Sequence, residues 1–159
     1  MKMNQVEILE RDELKLVGFS VNDSLNHIMN NRTVGKLREE LFDRKYEVAN
    51  RKGEGIYLIQ IYPDCQWTPD VPYTHIVAAE VTSYGDLPKG MIKHSVPAGR
   101  FAKFVHKGPE SEIGDTYDVI NEYSLRKFDI EYWKDIYALE SPNSQIEIYI
   151  PVKQDKNRT

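Results

Sequence analysis

His94-Ser-Val-Pro-Ala-Gly-Arg-Phe-Ala-Lys-Phe-Val-His-Lys-Gly-Pro109 opens the stretch whose reading decides the fold, Ile92 to Lys153. Asp135-Ile-Tyr-Ala-Leu-Glu140 and Gln145-Ile-Glu-Ile-Tyr-Ile-Pro-Val-Lys153 close it. Pro97-Ala-Gly99 sits between two short alternating runs and reads as the turn of a hairpin. Gly108-Pro109 ends that hairpin. Ser111, with Glu112 and Asp115 after it, has the composition of a helix start. Ile113, Tyr117, Ile120 and Ser124 recur at spacings of three and four, so they share one helical face. Two further strands follow, the first at Asp135 to Glu140, carrying acids in an otherwise apolar run. The unit is strand, strand, helix, strand, strand.

Outward from this unit, the first half of the chain repeats the pattern. Val6 and Ile8 alternate with Glu7, Arg11-Asp-Glu13 is a polar turn, and Leu14 to Phe19 returns as a second strand. Gly18 marks a bulge or a close backbone approach. Val21 to Arg32 is polar, with Leu25, Ile28 and Met29 as anchors. Thr33 caps a helix whose apolar stripe is Val34, Leu37 and Leu41. Ile56 to Tyr62 and Tyr73 to Thr82 are strands. The order therefore occurs twice, at about 3–82 and 91–152, with the hairpin Val6 to Phe19 answering Ile92 to Val105. Tyr57 aligns with Tyr137, and Gln60 with Glu140. The expected fold class is α+β, two β-β-α-β-β repeats with antiparallel sheets about a pseudo-twofold axis. The cleft between such repeats is a preferred place for a ligand. Residues 1–153 make a single domain, and 154–159 a flexible tail.

Composition narrows the function. The 159 residues are 40% hydrophobic and 11% aromatic, ordinary for a globular chain. Ten tyrosines stand against five phenylalanines, and a ring with a polar tip suits a ligand wall. The net charge is −4 and no basic run exceeds two residues, which argues against direct nucleic-acid binding. Cys65 is the one cysteine and cannot form an internal disulfide. With no signal peptide or long apolar stretch, no membrane association is expected and the location is cytoplasmic.

The order Pro-Ala-Gly-x-Phe-Ala, His-Lys-Gly-Pro, a helical Tyr, a late acid, and Glu-Ile-Tyr-Ile-Pro-Val-Lys resembles the GyrI-like small-molecule-binding domain. That domain is also the bacterial effector-binding part of AraC-type and MerR-type regulators. The resemblance covers nearly the whole chain and implies SHS2-type repeats. It further implies a stand-alone effector-binding domain, since the chain leaves no room for a helix-turn-helix region. In that family a strand glutamate lies at the bottom of the pocket and faces cationic ligands. The family pattern is a Glu with a Tyr two residues later.

Two acids compete for that role. Glu140 matches in chemistry, but Ser141-Pro142 follow it. Asp135 with Tyr137 keeps the spacing with a shorter side chain. On a strand they point to opposite faces, so only one can enter the pocket. The bland alternative leaves both at strand ends in water. A carboxylate withdrawn from water needs a partner or a raised pKa.

Around such an acid, Tyr57, Trp67, Tyr73, Phe101, Tyr117, Trp133, Tyr137 and Tyr149 are candidate ligand-binding aromatics. An acid among rings is a receptor for an organic cation. The expected function is binding of a small organic molecule, aromatic or cationic, for sensing or sequestration, by a monomer or homodimer. An alternative is a small-molecule hydrolase using Glu140 with Tyr57, Tyr117 or Tyr149. Another is a gyrase-inhibitor-like protein-binding module. His27, His75, His94 and His106 lie on separate elements, so neither metal nor cofactor is expected. No nucleophile motif assigns a catalytic residue.

Overall fold

The computed structural model describes residues 6–123 and 126–152. Ser124 and the tail 154–159 lie outside the described residues. The strands are β1 (Glu7–Arg11), β2 (Leu14–Asp23), β3 (Ile56–Ile61), β4 (Tyr73–Glu80), β5 (Ile92–Val96), β6 (Gly99–Lys107), β7 (Phe128–Trp133) and β8 (Gln145–Pro151). The helices are α1 (Leu25–Asn31), α2 (Thr33–Arg44) and α3 (Ile113–Tyr123). All eight strands belong to one antiparallel sheet, in the order β1-β6-β8-β7-β3-β4-β2-β5, curled into a half-barrel.

Neither expected hairpin forms. β1 pairs with β6 and β2 pairs with β5. Arg11 stands opposite Gly99, and Leu14 stands opposite Val96, so register is kept across the break. The chain runs straight through Asp12-Glu13 and through Pro97-Ala98, making one long two-stranded ribbon. A two-residue hairpin needs positive φ at its tip. None of these four residues has it; among the described residues positive φ occurs at Arg32, Asn50, Gly53, Gly90 and Gly108. Each link spans at most about 11 Å. The two ends of the sheet must therefore approach each other, and the sheet must curl.

The helix-covered face buries Val17, Phe19, Ile56, Leu58, Val77, Phe104, Trp133, Ile146 and Ile148 against Leu41 of α2 and Ile120 of α3. The opposite face carries Leu16, Ile59, Ala78 and Ile130, fully buried although no helix residue belongs to that cluster. The curled sheet covers this face itself. A side chain such as Leu41 or Ile59 contributes about 2–3 kcal/mol on full burial. Gly18 is the expected close approach: a Cβ there would lie 2.1 Å from the Val77 carbonyl oxygen on the paired strand.

The helices start and stop for local reasons. The Ser24 hydroxyl accepts from the His27 N–H at the start of α1. Arg32, in the left-handed region at φ 51°, ends α1 and turns the chain into α2. Val34, Leu37 and Leu41 face the core as their spacing predicted. Gly108, at φ 108°, ends β6 and its N–H donates to the Ser144 carbonyl. One turn of 3-10 helix, Glu110–Glu112, leads into α3. His106 ties this corner together, with Nδ1 2.7 Å from Thr116 Oγ1 and Nε2 2.8 Å from the Pro109 carbonyl.

The strand expected at Asp135 to Glu140 is corrected. Those residues are successive turns, with Ala138 N–H donating to the Asp135 carbonyl and Ser141 N–H to that of Ala138. Ile136 and Leu139, three apart, are their buried anchors. The strand is β7, earlier in the chain. There Phe128, Ile130 and Tyr132 face the self-covered side, and Asp129, Glu131 and Trp133 face the helices.

Candidate ligand cleft

α2 packs over β2 and β4, and α3 over β6. The central strands β3 and β7, paired from Ile56–Trp133 to Ile61–Phe128, run through the middle of the sheet between the strands these helices cover. Alternation turns Gln60, Asp129, Glu131 and Trp133 to the helix side of the sheet. Polar groups so deep need partners, and the residues supply them.

Asp129, fully buried, has its own cation. Arg126 Nε and Nη2 lie 3.0 and 2.9 Å from Asp129 Oδ2. Tyr62 Oη donates to the same oxygen at 2.6 Å, and Gln60 Nε2 donates to Oδ1 at 2.7 Å. Burial pushes the Asp129 pKa up; the guanidinium and these donors pull against that push.

Glu131, 5% exposed, is held differently. The Tyr117 hydroxyl on α3 donates to Oε2, and Trp133 Nε1 donates to Oε1 at 2.9 Å. Gln60 Nε2 donates to Tyr117 Oη at 3.0 Å, joining the two acids in one network. Among the described residues no Lys, Arg or His lies within ion-pair distance of Glu131. Burial pushes its pKa up to about 7. The Tyr117 hydrogen bond opposes this push, and the nearby Asp129 carboxylate adds to it. Burial also raises the Tyr117 pKa, so its hydroxyl keeps its proton.

Aromatic rings close both ends of the network. Tyr62 and Tyr73 stack with centroids 5.1 Å apart, and Trp67 meets Tyr73 edge-on at 5.7 Å. His75, 1% exposed, lies 4.0 Å from Tyr73, and burial lowers its pKa to about 4, so it is neutral at pH 7. At the other end the Arg38 guanidinium of α2 sits 4.8 Å from the Trp133 ring centroid. Both its terminal nitrogens lie 2.7 Å from Glu110 oxygens, so an ion pair bridges α2 and the turn before α3.

The structure sorts the sequence candidates into four places. Tyr117, Trp133, Tyr73 and Trp67 lie on the helix side of the sheet around the Gln60, Asp129 and Glu131 network. Tyr57, Phe101 and Tyr149 lie on the opposite face, where Tyr57 donates to Glu80 and Tyr149 to Glu147. Tyr137 is 64% exposed, with its ring edge-on to Phe42. The two acids expected on a strand are both exposed on the 134–144 loop. Glu140 accepts from the Ser111 N–H and hydroxyl at 2.9 and 2.8 Å, capping the turn that enters α3. Asp135 accepts from the Tyr137 N–H. Asp135 also borders an open groove of about 660 Å³, with Trp133, Phe42, Lys45 and Ile136 among its walls. Asp129, Glu131, Arg126, Tyr62, Arg38 and Glu110 were not singled out. The signal was present for the acids: Phe-Asp-Ile-Glu-Tyr-Trp133 alternates, and Glu131 has an aromatic residue two positions later.

Comparison with known proteins places this fold. The transcriptional regulator BrlR of Pseudomonas aeruginosa is 27% identical over 154 residues, covering 91% of this chain and 54% of the regulator. The chain thus spans about half the length of that curated relative. The structure of SAV2435 bound to tetraphenylphosphonium superposes with a TM-score of 0.70 at 16% identity, covering 94% of each chain. An integron cassette protein from the mobile metagenome of Vibrio cholerae superposes with a TM-score of 0.66 at 22% identity. It covers 94% of this chain and 97% of that one. At these identities the structural likeness is one of fold. No described helix is long and apolar enough to cross a membrane. The GyrI-like, effector-binding resemblance read from the sequence holds. A family profile described as integron-associated effector-binding protein matches residues 7–152, and the chain belongs to that family.

Proposed function

We propose that the chain receives a small organic cation with aromatic character in the cleft between α2 and α3, with Glu131 as the counter-charge. The observation that carries this reading is a buried carboxylate between Tyr117 and Trp133 that has no cation of its own among the described residues. Asp129, one pleat away, has one. A cation over a desolvated ring beside a carboxylate gains from both the ring quadrupole and the opposite charge. Tetraphenylphosphonium, bound by a protein of the same fold, is a suitable probe. Tyr117, Trp133, Tyr73 and Trp67 are the proposed walls. Binding serves sensing or sequestration.

We also propose that the halves are duplicates about a pseudo-twofold axis. The pairings support this: β1·β6 answers β5·β2, β2·β4 answers β6·β8, and β3·β4 answers β7·β8. The central pair β3·β7 then straddles the axis, with the cleft above it.

Titration with tetraphenylphosphonium at pH 8 tests the site. Glu131→Gln keeps the shape and removes the charge, and should weaken binding about ten-fold or more, some 1.4 kcal/mol. Equal affinity in both proteins would remove Glu131 from the site. A second reading, hydrolysis of a small electrophile, draws on an acid titrating near pH 7 beside a Tyr hydroxyl. Its mark would be loss of an ester probe during incubation, abolished in Glu131→Gln.

A further inference from the structure

The Arg38–Glu110 pair lies where an incoming cation would have to sit. Arg38 reaches from α2 over Trp133, the same ring whose Nε1 donates to Glu131. Its fork is matched tooth for tooth by the Glu110 carboxylate, at 2.7 Å on each side. The side chains are 16% and 24% exposed, so water screens them only in part. Glu110 is also close enough for its charge to bear on Glu131. Glu110 and the Trp133 ring therefore share a single guanidinium, and none is within ion-pair distance of Glu131 among the described residues.

We propose that Arg38 is a built-in competitor for the ligand. Its guanidinium, clamped by Glu110, fills the cation seat on Trp133 and must swing aside when a ligand binds. This rests on the cleft between α2 and α3 being the ligand site. One ring face holds one cation, so the two occupants exclude each other. The displaced arrangement leaves Glu110 and Glu131 both free to face the newcomer. Glu110, already holding a planar fork, then favours a ligand with two parallel N–H donors, such as an amidinium. Occupancy by a tethered cation taxes the apparent affinity of every ligand by the fraction of time the seat is closed.

Two probes test it. Tetraphenylphosphonium should bind Arg38→Met about ten-fold more tightly than wild type, the opposite direction from Glu131→Gln. Benzamidinium at low millimolar concentration should raise the melting temperature of Arg38→Ala by more than that of wild type, because the seat is always free in the variant and only part of the time in wild type. Arg38→Gln provides a second opening variant should Arg38→Met impair folding, and should also tighten tetraphenylphosphonium binding. Equal or weaker tetraphenylphosphonium binding in Arg38→Met and Arg38→Gln overturns the competition while leaving the cleft as the site. If neither wild type nor Arg38→Met binds tetraphenylphosphonium, the proposed function falls. A benzamidinium shift larger in Arg38→Ala than in wild type would then still support the seat, and an equal shift or none would remove that too.

Discussion

Asp129 and Glu131 stand two residues apart on one face of β7, and among the described residues only Asp129 is paired with a guanidinium. Glu131 is left with a phenol and an indole as donors. Burial therefore acts on it with little opposition, and its pKa rises to about 7. Binding of a cation that needs the ionised form should follow this titration. Tetraphenylphosphonium affinity should fall as pH drops below 7, towards that of Glu131→Gln, and level off above 8. In Glu131→Gln the profile should be flat across that range. Titrations at pH 5.5, 6.5, 7.5 and 8.5 measure it.

The same shift makes a stability prediction of definite sign. A carboxyl whose pKa is raised on folding, here from an ordinary 4.5 to about 7, favours the folded state in its neutral form. That contribution is complete below about 4.5 and is lost as pH rises through 7. Glu131→Gln cannot lose it. The melting temperature of Glu131→Gln minus that of wild type should therefore grow more positive from pH 5 to pH 8. A difference that shrinks would contradict the burial effect.

Arg126 has the opposite role. Its guanidinium and the Asp129 carboxylate are almost wholly buried together. Arg126→Met would strand a charge, and breaking such a pair from one side costs about 3–5 kcal/mol. The double variant Arg126→Met, Asp129→Leu should recover much of this, although Tyr62 and Gln60 then lose an acceptor. Urea unfolding of the three proteins gives the values.

Glu140 and Glu131 can be told apart by what each substitution spares. Glu140→Gln removes a charge that accepts from the Ser111 N–H ahead of α3. It should cost about 1 kcal/mol or less of stability, as loss of a helix cap does. Tetraphenylphosphonium affinity should stay within two-fold of wild type. A large loss of affinity would bring the 134–144 loop into the site.

Much of this was legible in the chain, for reasons that also mark where it stopped. The stripe Val34, Leu37 and Leu41 and the strands at Ile56 and Tyr73 follow from periodicity, which local sequence carries. The need for a half-dry acid among rings was also readable, and Tyr117 and Trp133 do meet one. Which acid was not. Ile136-Tyr-Ala-Leu139 is as apolar as a strand, but its buried members are three apart, the spacing of a turn. Phe128 to Trp133 is broken by acids that look solvated until Arg126, Gln60, Tyr62 and Tyr117 arrive from elsewhere. The ribbon was hidden for a similar reason. Arg11-Asp-Glu13 and Pro97-Ala-Gly99 both suit a hairpin tip, and only strand partners far away in the chain draw these links out straight.

That ribbon has a consequence for how the molecule comes apart. Each half lends its opening strands to finish the rim of the other, so they are braided rather than set side by side. Cutting the chain in the 83–91 link would not release two separate folded pieces. It would leave fragments that hold together as an entwined pair, each worthless alone, and melting should engage both in a single step.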